Sequence, residues 1–348
     1  MKKEKAREVI PDSMREELDF IGHIYCPVKE RFSQAYLAFE SQYNRVHEPK
    51  LRGLVPLGSC GMDIYYHIST IQTWEKFPAV VTEAGYGDFF TDAFLTNREK
   101  RAWFAPWPSP QPVNPLFQGL ELQDPLGIFS IYGAMPYVFL VNHKGLGKRP
   151  VPRRIADLTD PVYEGMIGSV YAPEDITELL LLEIWKEQGE AGIRSLAHSI
   201  GLAAGTRELA ASALGKQGNS YGVYIMSWFF AHAVPKRDYL EILWPDDGAL
   251  FSPLYALVKR ERSACQSACG EFLFSRDLGT AMAGAWFTHL NPEVHYPLPQ
   301  GARFRWVGWD YIYEKNISLR VSEIEQVYYA ERDKILSDKP RILSVRSF

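Results

Sequence analysis

The sequence predicts an α/β protein in which two lobes are joined by two strands that cross between them. Strands, loops and helices alternate through the first third of the chain, as they do in α/β folds. Two apolar runs, at 137–141 and 254–258, each follow a turn-forming stretch and end at polar residues, as buried strands do. About a hundred residues separate these runs, enough for one compact lobe. We therefore expect a ligand to bind where the two strands cross.

The first lobe is predicted over 19–135 and 253–348, behind a charged N-terminal arm at 1–18. Cys26 and Pro27 open a helix that runs to about Tyr43 after a strand at 19–25, because apolar residues recur there at helical spacing. Further strands are predicted at 51–57, 79–82 and 128–131, with a helix at 62–73 and an irregular stretch rich in Pro and Trp at 103–127. The C-terminal part returns to this lobe and ends with a helix at 321–336.

The second lobe is predicted as an insertion over 136–252, entered after a turn at 133–136. It contains a strand at 167–170 and helices at 173–187 and 189–199. The apolar stretch 220–234 fits a buried strand or a buried helix equally well. The chain is expected to return to the first lobe along 252–258, as a strand of the parallel type.

Composition excludes several functional classes. The net charge of −4 lacks the basic excess of a nucleic-acid groove, and no apolar stretch approaches the roughly 18 residues that a membrane helix needs. Hydrolase, metalloprotease and nucleotide-binding motifs and C-x-x-C are absent from the sequence, so no enzymatic activity is predicted. The start of the chain lacks an apolar signal segment, which predicts a cytoplasmic location, or an extracytoplasmic one if Met1 is not the natural start. We also expect a monomer.

Two cysteines are candidates for ligand chemistry. Cys26 and Cys60 both follow predicted strands of the first lobe, where they could bind a soft metal or form a redox disulfide. The alternative is that each is a small buried apolar side chain, as free cysteines usually are. Cys265 and Cys269 lie four residues apart on a predicted helix, and we expect them to serve in helix packing.

The loop at 58–61, Gly-Ser-Cys-Gly, precedes a predicted helix. Backbone N–H groups of Ser59, Cys60 and Gly61 could therefore bind an anion or a carboxylate. Asp63 lies in the first turn of that helix and opposes an anion, so it is either a ligand contact or an ordinary helix-start carboxylate. Lys29 and Arg31, early in the helix after Cys26, suit an anionic ligand better.

Hydroxyl-bearing residues supply the remaining candidates. Tyr86 and Asp88 lie on a glycine-bracketed loop after a strand, where α/β lobes place ligand contacts. The proposed crossings are flanked by a serine and three tyrosines: Ser252, Tyr221, Tyr224 and Tyr255. Phenols bind hard cations and hydrogen-bond organic ligands, although a buried structural role is the commoner one. A metal site would draw on Cys26, Cys60, Tyr221 and Tyr255.

The segment IADLTDPVYEGMIG at 155–168 resembles the W-x-D-L-x-D-P-x-Y-x-G-x-I motif of type 2 periplasmic solute-binding proteins, above all their ferric-iron-like branch. DGALFSPLYALVK is similar to the return crossover of the same branch. GSCGMDIYYHI, TEAGYGDFF and WVGWDYIY are similar to a sub-branch of ABC-transporter substrate-binding or putative metal-binding proteins. The resemblance implies a venus-flytrap fold with two Rossmann-like lobes, a two-strand hinge and closure around a ligand. It implies binding rather than catalysis, and an ABC-transporter permease as partner.

Two features depart from that branch. Ferric-binding relatives typically use an adjacent pair of second-lobe tyrosines, whereas Tyr221 and Tyr224 are three positions apart. The sequence also lacks the signal segment that a periplasmic role requires. Because of the family branch that the sequence resembles, we still expect a solute-binding protein whose ligand is a metal ion, such as iron, or a metal complex. The alternatives are a small organic anion, or a cytoplasmic ligand sensor or Cys-dependent enzyme that uses the same cleft.

Overall fold

The computed structural model describes residues 18–57, 68–69, 71–170, 177–216, 220–314 and 316–338. Strands in this part of the chain are β1 Phe20–Gly22, β2 Gly53–Leu54, β3 Val80–Ala84, β4 Phe129–Asn142, β5 Ile167–Val170, β6 Ile200–Ala204, β7 Val223–Ser227, β8 Leu240–Leu243, β9 Ala249–Val258, β10 Thr288–His289 and β11 Phe304–Arg305. The helices are α1 Cys26–Val46, α2 Asp92–Leu95, α3 Arg98–Ala102, α4 His143–Leu146, α5 Thr177–Ser199, α6 Thr206–Ala213, α7 Trp228–Ala233, α8 Ala264–Leu273, α9 Arg276–Ala283, α10 Gly308–Glu314 and α11 Ile317–Asp338. The α/β class predicted from the sequence is confirmed.

The chain divides into two compact units. Unit 1 contains the described residues within Met1–Tyr137, Ser227–Phe229 and Ala249–Ser318, and unit 2 contains those within Val138–Met226, Phe230–Gly248 and Leu319–Phe348. The chain therefore passes from unit 1 to unit 2 inside β4. It returns at the start of β9, earlier than the 252–258 return predicted from the sequence.

Unit 1 contains a sheet with the strand order β2-β1-β3-β9-β4. β1 is parallel to both β2 and β3, so the carboxyl ends of these strands meet at one edge. Helix α1 packs an aromatic face on this sheet, where the rings of Phe20 and Tyr36 stack with centroids 4.5 Å apart. Val28, Phe32 and Tyr36 recur every four residues along α1 and are fully buried, which explains why the helical periodicity was readable in the sequence.

Strand β4 corrects the prediction of a turn at 133–136. The strand is continuous from Phe129 to Asn142, and a register shift between Ile131 and Gly133 absorbs one extra residue opposite β9. Such a bulge interrupts pairing without ending a strand. Gly133 is required there because an added Cβ would lie 2.3 Å from the carbonyl oxygen of Thr288. Glycine and proline in this stretch therefore mark a bulged strand rather than a turn.

Strand β9 corrects a second prediction. It runs antiparallel to β3 and β4, its neighbours in the main order of the sheet, although its unbroken apolar sequence suggested a parallel strand. Its first two residues, Ala249 and Leu250, also pair parallel with the short strand β11. All ten of its residues are buried. The apolar run thus reports burial on both faces, and it carries no information about strand direction.

Unit 2 contains the strands β7, β5 and β6 in that order, with β5 parallel to both neighbours. Strand β8 pairs antiparallel with the last residues of β4. The predicted strand at 167–170 is confirmed, and the predicted division between two helices at Gly189 corresponds to its positive φ of 62° inside α5. The undecided stretch 220–234 contains both kinds of element, because β7 is followed directly by α7.

The final helix corrects the predicted domain composition. The sequence placed 321–336 in the first lobe, but residues from Leu319 onward belong to unit 2. Arg332 donates hydrogen bonds to the carbonyl oxygens of Ala197 and Ile200, and Glu331 forms an ion pair with Arg194 at 2.6 Å. These bonds hold α11 on the end of α5. None of the described helices is both long and apolar enough to cross a membrane.

Candidate functional site

Polar side chains gather at the carboxyl ends of β1 and β3 in unit 1. Gly22 and Thr82 are register partners in these parallel strands, so the next residues, His23 and Glu83, occupy matching positions. Nδ1 of His23 donates a hydrogen bond to Oε1 of Glu83. Glu83 is only 7% exposed, whereas His23 is partly exposed. A buried carboxylate is therefore covered by an imidazole at the surface of the unit.

Tyr25 and Ser252 form a second polar pair beside the first. The Tyr25 hydroxyl is 2.8 Å from Oγ of Ser252, and Ser252 is 1% exposed. Gly85, directly after β3, has φ of +71°, and an added Cβ would lie 2.7 Å from the Tyr25 hydroxyl. Only glycine leaves room for that hydroxyl. We call His23, Tyr25, Glu83, Gly85 and Ser252 the carboxyl-end cluster.

Tyr86 lies next to this cluster on the loop predicted to carry ligand contacts. Its hydroxyl accepts a hydrogen bond of 2.8 Å from Nε1 of Trp306, and its ring stands edge-on to Phe90 with centroids 5.3 Å apart. The hydroxyl and the ring of Tyr86 are thus both in contact with neighbouring side chains, which fixes the position of the loop. Asp88 begins a short 3-10 helix, Asp88–Phe90, and the placement of its side chain is not described.

Helix α1 begins at Cys26, which is disulfide-bonded. Cys26 is exposed, and its sulfur cannot act as a thiolate ligand or nucleophile while it is in the disulfide. The first turn of α1 contains no acidic residue, as the sequence suggested for an anion-tolerant helix start. Burial lowers the pKa of Lys29 in the following turn.

Thiol mapping is expected to separate the cysteines into two classes. Cys265 and Cys269 are free and buried on α8, as predicted for packing residues, and burial raises the pKa of Cys269 well above its usual value. Iodoacetamide should therefore modify Cys265 and Cys269 only after unfolding, whereas it should modify the exposed Cys26 only after reduction of its disulfide. Peptide mass spectrometry without reductant should recover Cys26 in a disulfide-linked peptide. Recovery of alkylated Cys26 from native, unreduced protein would contradict this assignment.

Four predicted site residues, Ser59, Cys60, Gly61 and Asp63, lie outside the described residues. The anion loop at 58–61 and the pairing of Cys60 with Cys26 therefore remain predictions. The peptide that Cys26 is linked to in the mapping experiment tests the second of them.

Tyr255, a predicted ligand, lies in the core of unit 1. It is fully buried, and its ring packs edge-on against Phe90 and Phe129 at centroid distances of 5.2 and 5.1 Å. Its position in the middle of β9, opposite Glu83 of β3 and Ile131 of β4, explains this burial. The geometry fits the alternative that the sequence left open, a buried structural tyrosine, rather than a surface ligand.

Tyr221 and Tyr224, predicted to flank a crossing, belong to unit 2. The Tyr224 hydroxyl is 3.0 Å from Oγ of Ser212 and accepts a hydrogen bond from the backbone N–H of Tyr221. Burial and the neighbouring Tyr224 raise the pKa of Tyr221, which disfavours the phenolate form that a metal needs. Tyr221 precedes β7 and Tyr224 lies within it, whereas the residues that directly follow this strand are Trp228 and Phe229, neither of which ligates metals.

The described members of the predicted metal set lie in different environments. Cys26 is in a disulfide, Tyr255 is in the core of unit 1, and Tyr221 belongs to unit 2. No group of three or more His, Cys, Asp or Glu side chains suited to a metal ion occurs among the described residues. Sequence reasoning missed His23, Tyr25 and Glu83. Their signal was the matched position of polar residues at the ends of two adjacent parallel strands.

A sequence profile described as "Bacterial extracellular solute-binding protein" matches residues 75–315 of the chain. No curated protein matches the chain in sequence. Many solved structures share its fold, among them three of low identity. Ferric iron-binding protein A of Mannheimia haemolytica, in an open conformation, is 10% identical with a TM-score of 0.61 and covers 90% of this chain and 98% of its own.

The other two structures are periplasmic or transport proteins. AfuA of Actinobacillus pleuropneumoniae, with fructose-6-phosphate bound, is 18% identical with a TM-score of 0.55, over 92% of this chain and 98% of its own. The spermidine/putrescine substrate-binding protein PotD of Streptococcus pneumoniae is 11% identical with a TM-score of 0.56, over 90% of this chain and 99% of its own. At these identities the similarity establishes the fold alone, and it matches the type 2 solute-binding fold predicted from the sequence.

Proposed function

The chain belongs to the bacterial extracellular solute-binding proteins. From this membership we propose that it binds a small organic solute at the carboxyl-end cluster of unit 1 and delivers it for ABC-type uptake. Proteins of this class bind small ligands and deliver them to a permease. An organic solute is preferred here to the metal ion that the sequence led us to expect.

The observation that carries the proposal is the pairing of buried and exposed polar groups in the cluster. Ser252 and Glu83 are buried, and each contacts a partly exposed side chain, Tyr25 or His23. In open α/β sheets, ligands bind beyond the carboxyl ends of the strands, and few but well-placed polar groups orient them. A hydroxyl pair and an imidazole–carboxylate pair offer both donors and acceptors to a polar head group.

The side chains around the cluster support an organic ligand. Tyr25 contacts Phe287 with ring centroids 6.4 Å apart, and Tyr86 contacts Phe90. A site that combines a few polar groups with aromatic walls is typical of organic ligands. A bare metal ion needs several donors that converge on one point, whereas the carboxyl-end cluster brings only His23 and Glu83 into contact as metal-ligand side chains, and no group of three or more His, Cys, Asp or Glu suited to a metal occurs among the described residues.

A metal ion is the second candidate, favoured by the contact between His23 and Glu83. An imidazole nitrogen and a carboxylate oxygen are ligands for several transition metals. The structural relatives include a ferric iron-binding protein, a protein with bound fructose-6-phosphate and a spermidine/putrescine-binding protein. The fold itself therefore does not choose between the two candidates.

We further propose an extracytoplasmic location and an ABC permease as partner. The family is extracellular by description, and the disulfide at Cys26 fits an oxidising compartment, because cytosolic thiols are kept reduced. This replaces the cytoplasmic location predicted from the start of the chain. It also removes the main reason for a Cys-dependent enzyme, since the Cys26 sulfur is not a free thiolate.

A ligand screen with a tyrosine variant tests the proposal. Thermal unfolding is measured with panels of carboxylates, phosphorylated sugars and amines, and with Fe³⁺ and Zn²⁺. We expect at least one organic solute to raise the unfolding temperature of the wild-type protein. Tyr25→Phe should lower the affinity for that solute about tenfold, which corresponds to the loss of one hydrogen bond of about 1.4 kcal/mol.

Tyr163→Phe is the matched control, because the buried Tyr163 also loses one hydrogen bond, to the carbonyl oxygen of Pro150 in unit 2. It should bind the solute within twofold of the wild type. A shift with a metal ion and with none of the organic solutes would overturn the organic proposal in favour of the second candidate. Equal binding by Tyr25→Phe and the wild type would overturn the role of the cluster.

A further inference from the structure

Trp286 has a backbone conformation that tryptophan rarely adopts. Its φ is 59°, and it is the one non-glycine residue with positive φ in the described part of the chain. The left-handed region brings Cβ against the backbone, so bulky side chains there are uncommon and costly. Residues held in such conformations cluster at ligand sites, where the surrounding structure maintains them.

The hydrogen bonds of a helix end fix this conformation. After α9, the N–H of Phe287 donates to the carbonyl oxygen of Met282, and the N–H of Trp286 donates to that of Ala283. This pair of bonds defines a Schellman motif with Trp286 at the position that usually carries glycine. Phe287 and Met282 are both buried, as the accompanying apolar contact of the motif requires. Glycine would satisfy this backbone without strain, so the indole needs a separate explanation.

The Trp286 indole packs against the aromatic ring of Trp228, which in turn packs on Tyr296. Trp228 lies edge-on to it with centroids 5.0 Å apart, and Tyr296 lies 6.4 Å from Trp228. Trp228 is 3% exposed, whereas Trp286 is partly exposed. Packing therefore uses only part of the Trp286 ring. A tryptophan with a purely structural role is expected to be buried as a whole, as Trp228 is.

The turn that carries Trp286 lies next to the carboxyl-end cluster. Phe287, the next residue, has its ring centroid 6.4 Å from that of Tyr25, whose hydroxyl contacts Ser252. The guanidinium of Arg31 lies against the same turn, since a Cβ at Gly284 would be 2.9 Å from its Nη1. Polar groups and a partly exposed indole are thus close neighbours within one unit.

We propose that Trp286, backed by Trp228, is the aromatic wall of the ligand site and selects a solute that carries a flat unsaturated ring. This inference rests on the proposed function, because it assigns the apolar part of the ligand whose head group the carboxyl-end cluster binds. Flat rings gain from offset or edge-on contact with an indole, beyond the burial of apolar area alone. The left-handed turn aims the indole, and the Trp228 ring keeps it in place.

Matched probes separate ring recognition from head-group recognition. Binding of acetate, cyclohexanecarboxylate and benzoate is measured by calorimetry, together with methylamine, cyclohexylmethylamine and benzylamine. Within one series, the wild-type protein should bind the flat-ring member at least tenfold more tightly than both the ring-free and the puckered-ring members. Trp286→Gly should remove that preference and leave binding of the ring-free member within twofold. Trp286→Phe should retain most of the preference.

Two controls keep the test independent of folding. Glycine suits the backbone of this turn, so Trp286→Gly should keep its unfolding temperature within a few degrees of the wild type. Trp103→Phe removes another partly exposed indole of unit 1, one that packs on Trp74 at a centroid distance of 6.0 Å, and should leave the preference intact. If Trp286→Gly is unfolded, Trp286→Asn takes its place, because asparagine tolerates the left-handed region, carries no aromatic ring and should likewise lose the preference.

The outcomes distinguish this inference from the proposed function. Equal binding of flat-ring and puckered-ring members by the wild type, or an unchanged preference in Trp286→Gly, would overturn the aromatic wall and leave the organic-solute proposal standing. Binding of Fe³⁺ or Zn²⁺ with no binding of any organic probe would overturn both. A preference that Trp286→Gly loses and Trp103→Phe keeps would support both.

Discussion

Replacing Tyr255 with alanine is expected to lower the free energy of unfolding by about 3–5 kcal/mol, the range observed for large aromatic side chains removed from cores. Tyr255 is fully buried in β9 between the rings of Phe90 and Phe129, and its removal leaves a cavity that the paired strands β3 and β4 cannot close. Urea-induced unfolding followed by tryptophan fluorescence measures the loss.

Tyr255→Phe separates the structural role from the predicted role as a ligand. It keeps the aromatic ring and removes only the hydroxyl, so its free energy of unfolding should fall by no more than about 1.5 kcal/mol. Its affinity for any solute or metal found in the ligand screen should equal that of the wild type. A variant that folds normally but loses the ligand would restore Tyr255 to the binding site and contradict its assignment to the core.

The sequence predicted elements well where one physical signal decided them. The periodicity of α1 and the position of β5 follow from apolar spacing, and both elements lie where they were expected. Strand direction and strand continuity are different, because they depend on partners far away in the chain. The bulge in β4 is stabilised by its pairing with β9, and the space at Gly133 is limited by Thr288 of β10. No local pattern at 133–136 distinguishes that arrangement from a turn.

The candidate site was predictable in its location and less so in its residues. Strand ends of the first lobe were expected to carry ligand contacts, and the cluster lies at the ends of β1 and β3. The pairing of His23 with Glu83 depends on the register of those strands, and the pairing of Tyr25 with Ser252 joins positions 227 apart in the sequence. Tyr221 and Tyr255 were chosen for their chemistry, yet their environments are set by burial. Residue type suggests what a side chain can do, and only packing determines whether it is exposed.

The pH dependence of stability should reveal the most strongly perturbed histidine, His289. Burial lowers its pKa to about 4, although a hydrogen bond from Nε2 to the carbonyl oxygen of Leu273 raises it in part. In the unfolded chain the pKa returns to about 6.5. Between these values the unfolded state binds a proton that the folded state does not, so the free energy of unfolding falls as the pH is lowered. The loss from this residue should reach about 3 kcal/mol at pH 4 and be absent above about pH 7.

His289→Gln isolates this contribution from the titration of carboxylates. Glutamine does not titrate and offers both a donor for Leu273 and an acceptor for the N–H of Asn291, which Nδ1 now accepts at 3.1 Å. The difference in stability between the wild type and His289→Gln, measured by urea unfolding, should therefore shift by about 3 kcal/mol in favour of the variant from pH 7 to pH 4. His143→Gln, on an exposed histidine that contacts Glu241, is the matched control for the replacement of an imidazole by an amide. A constant difference between the wild type and His289→Gln across this range would mean that folding does not perturb His289, because a group with equal pKa values in both states contributes nothing to the pH dependence of stability.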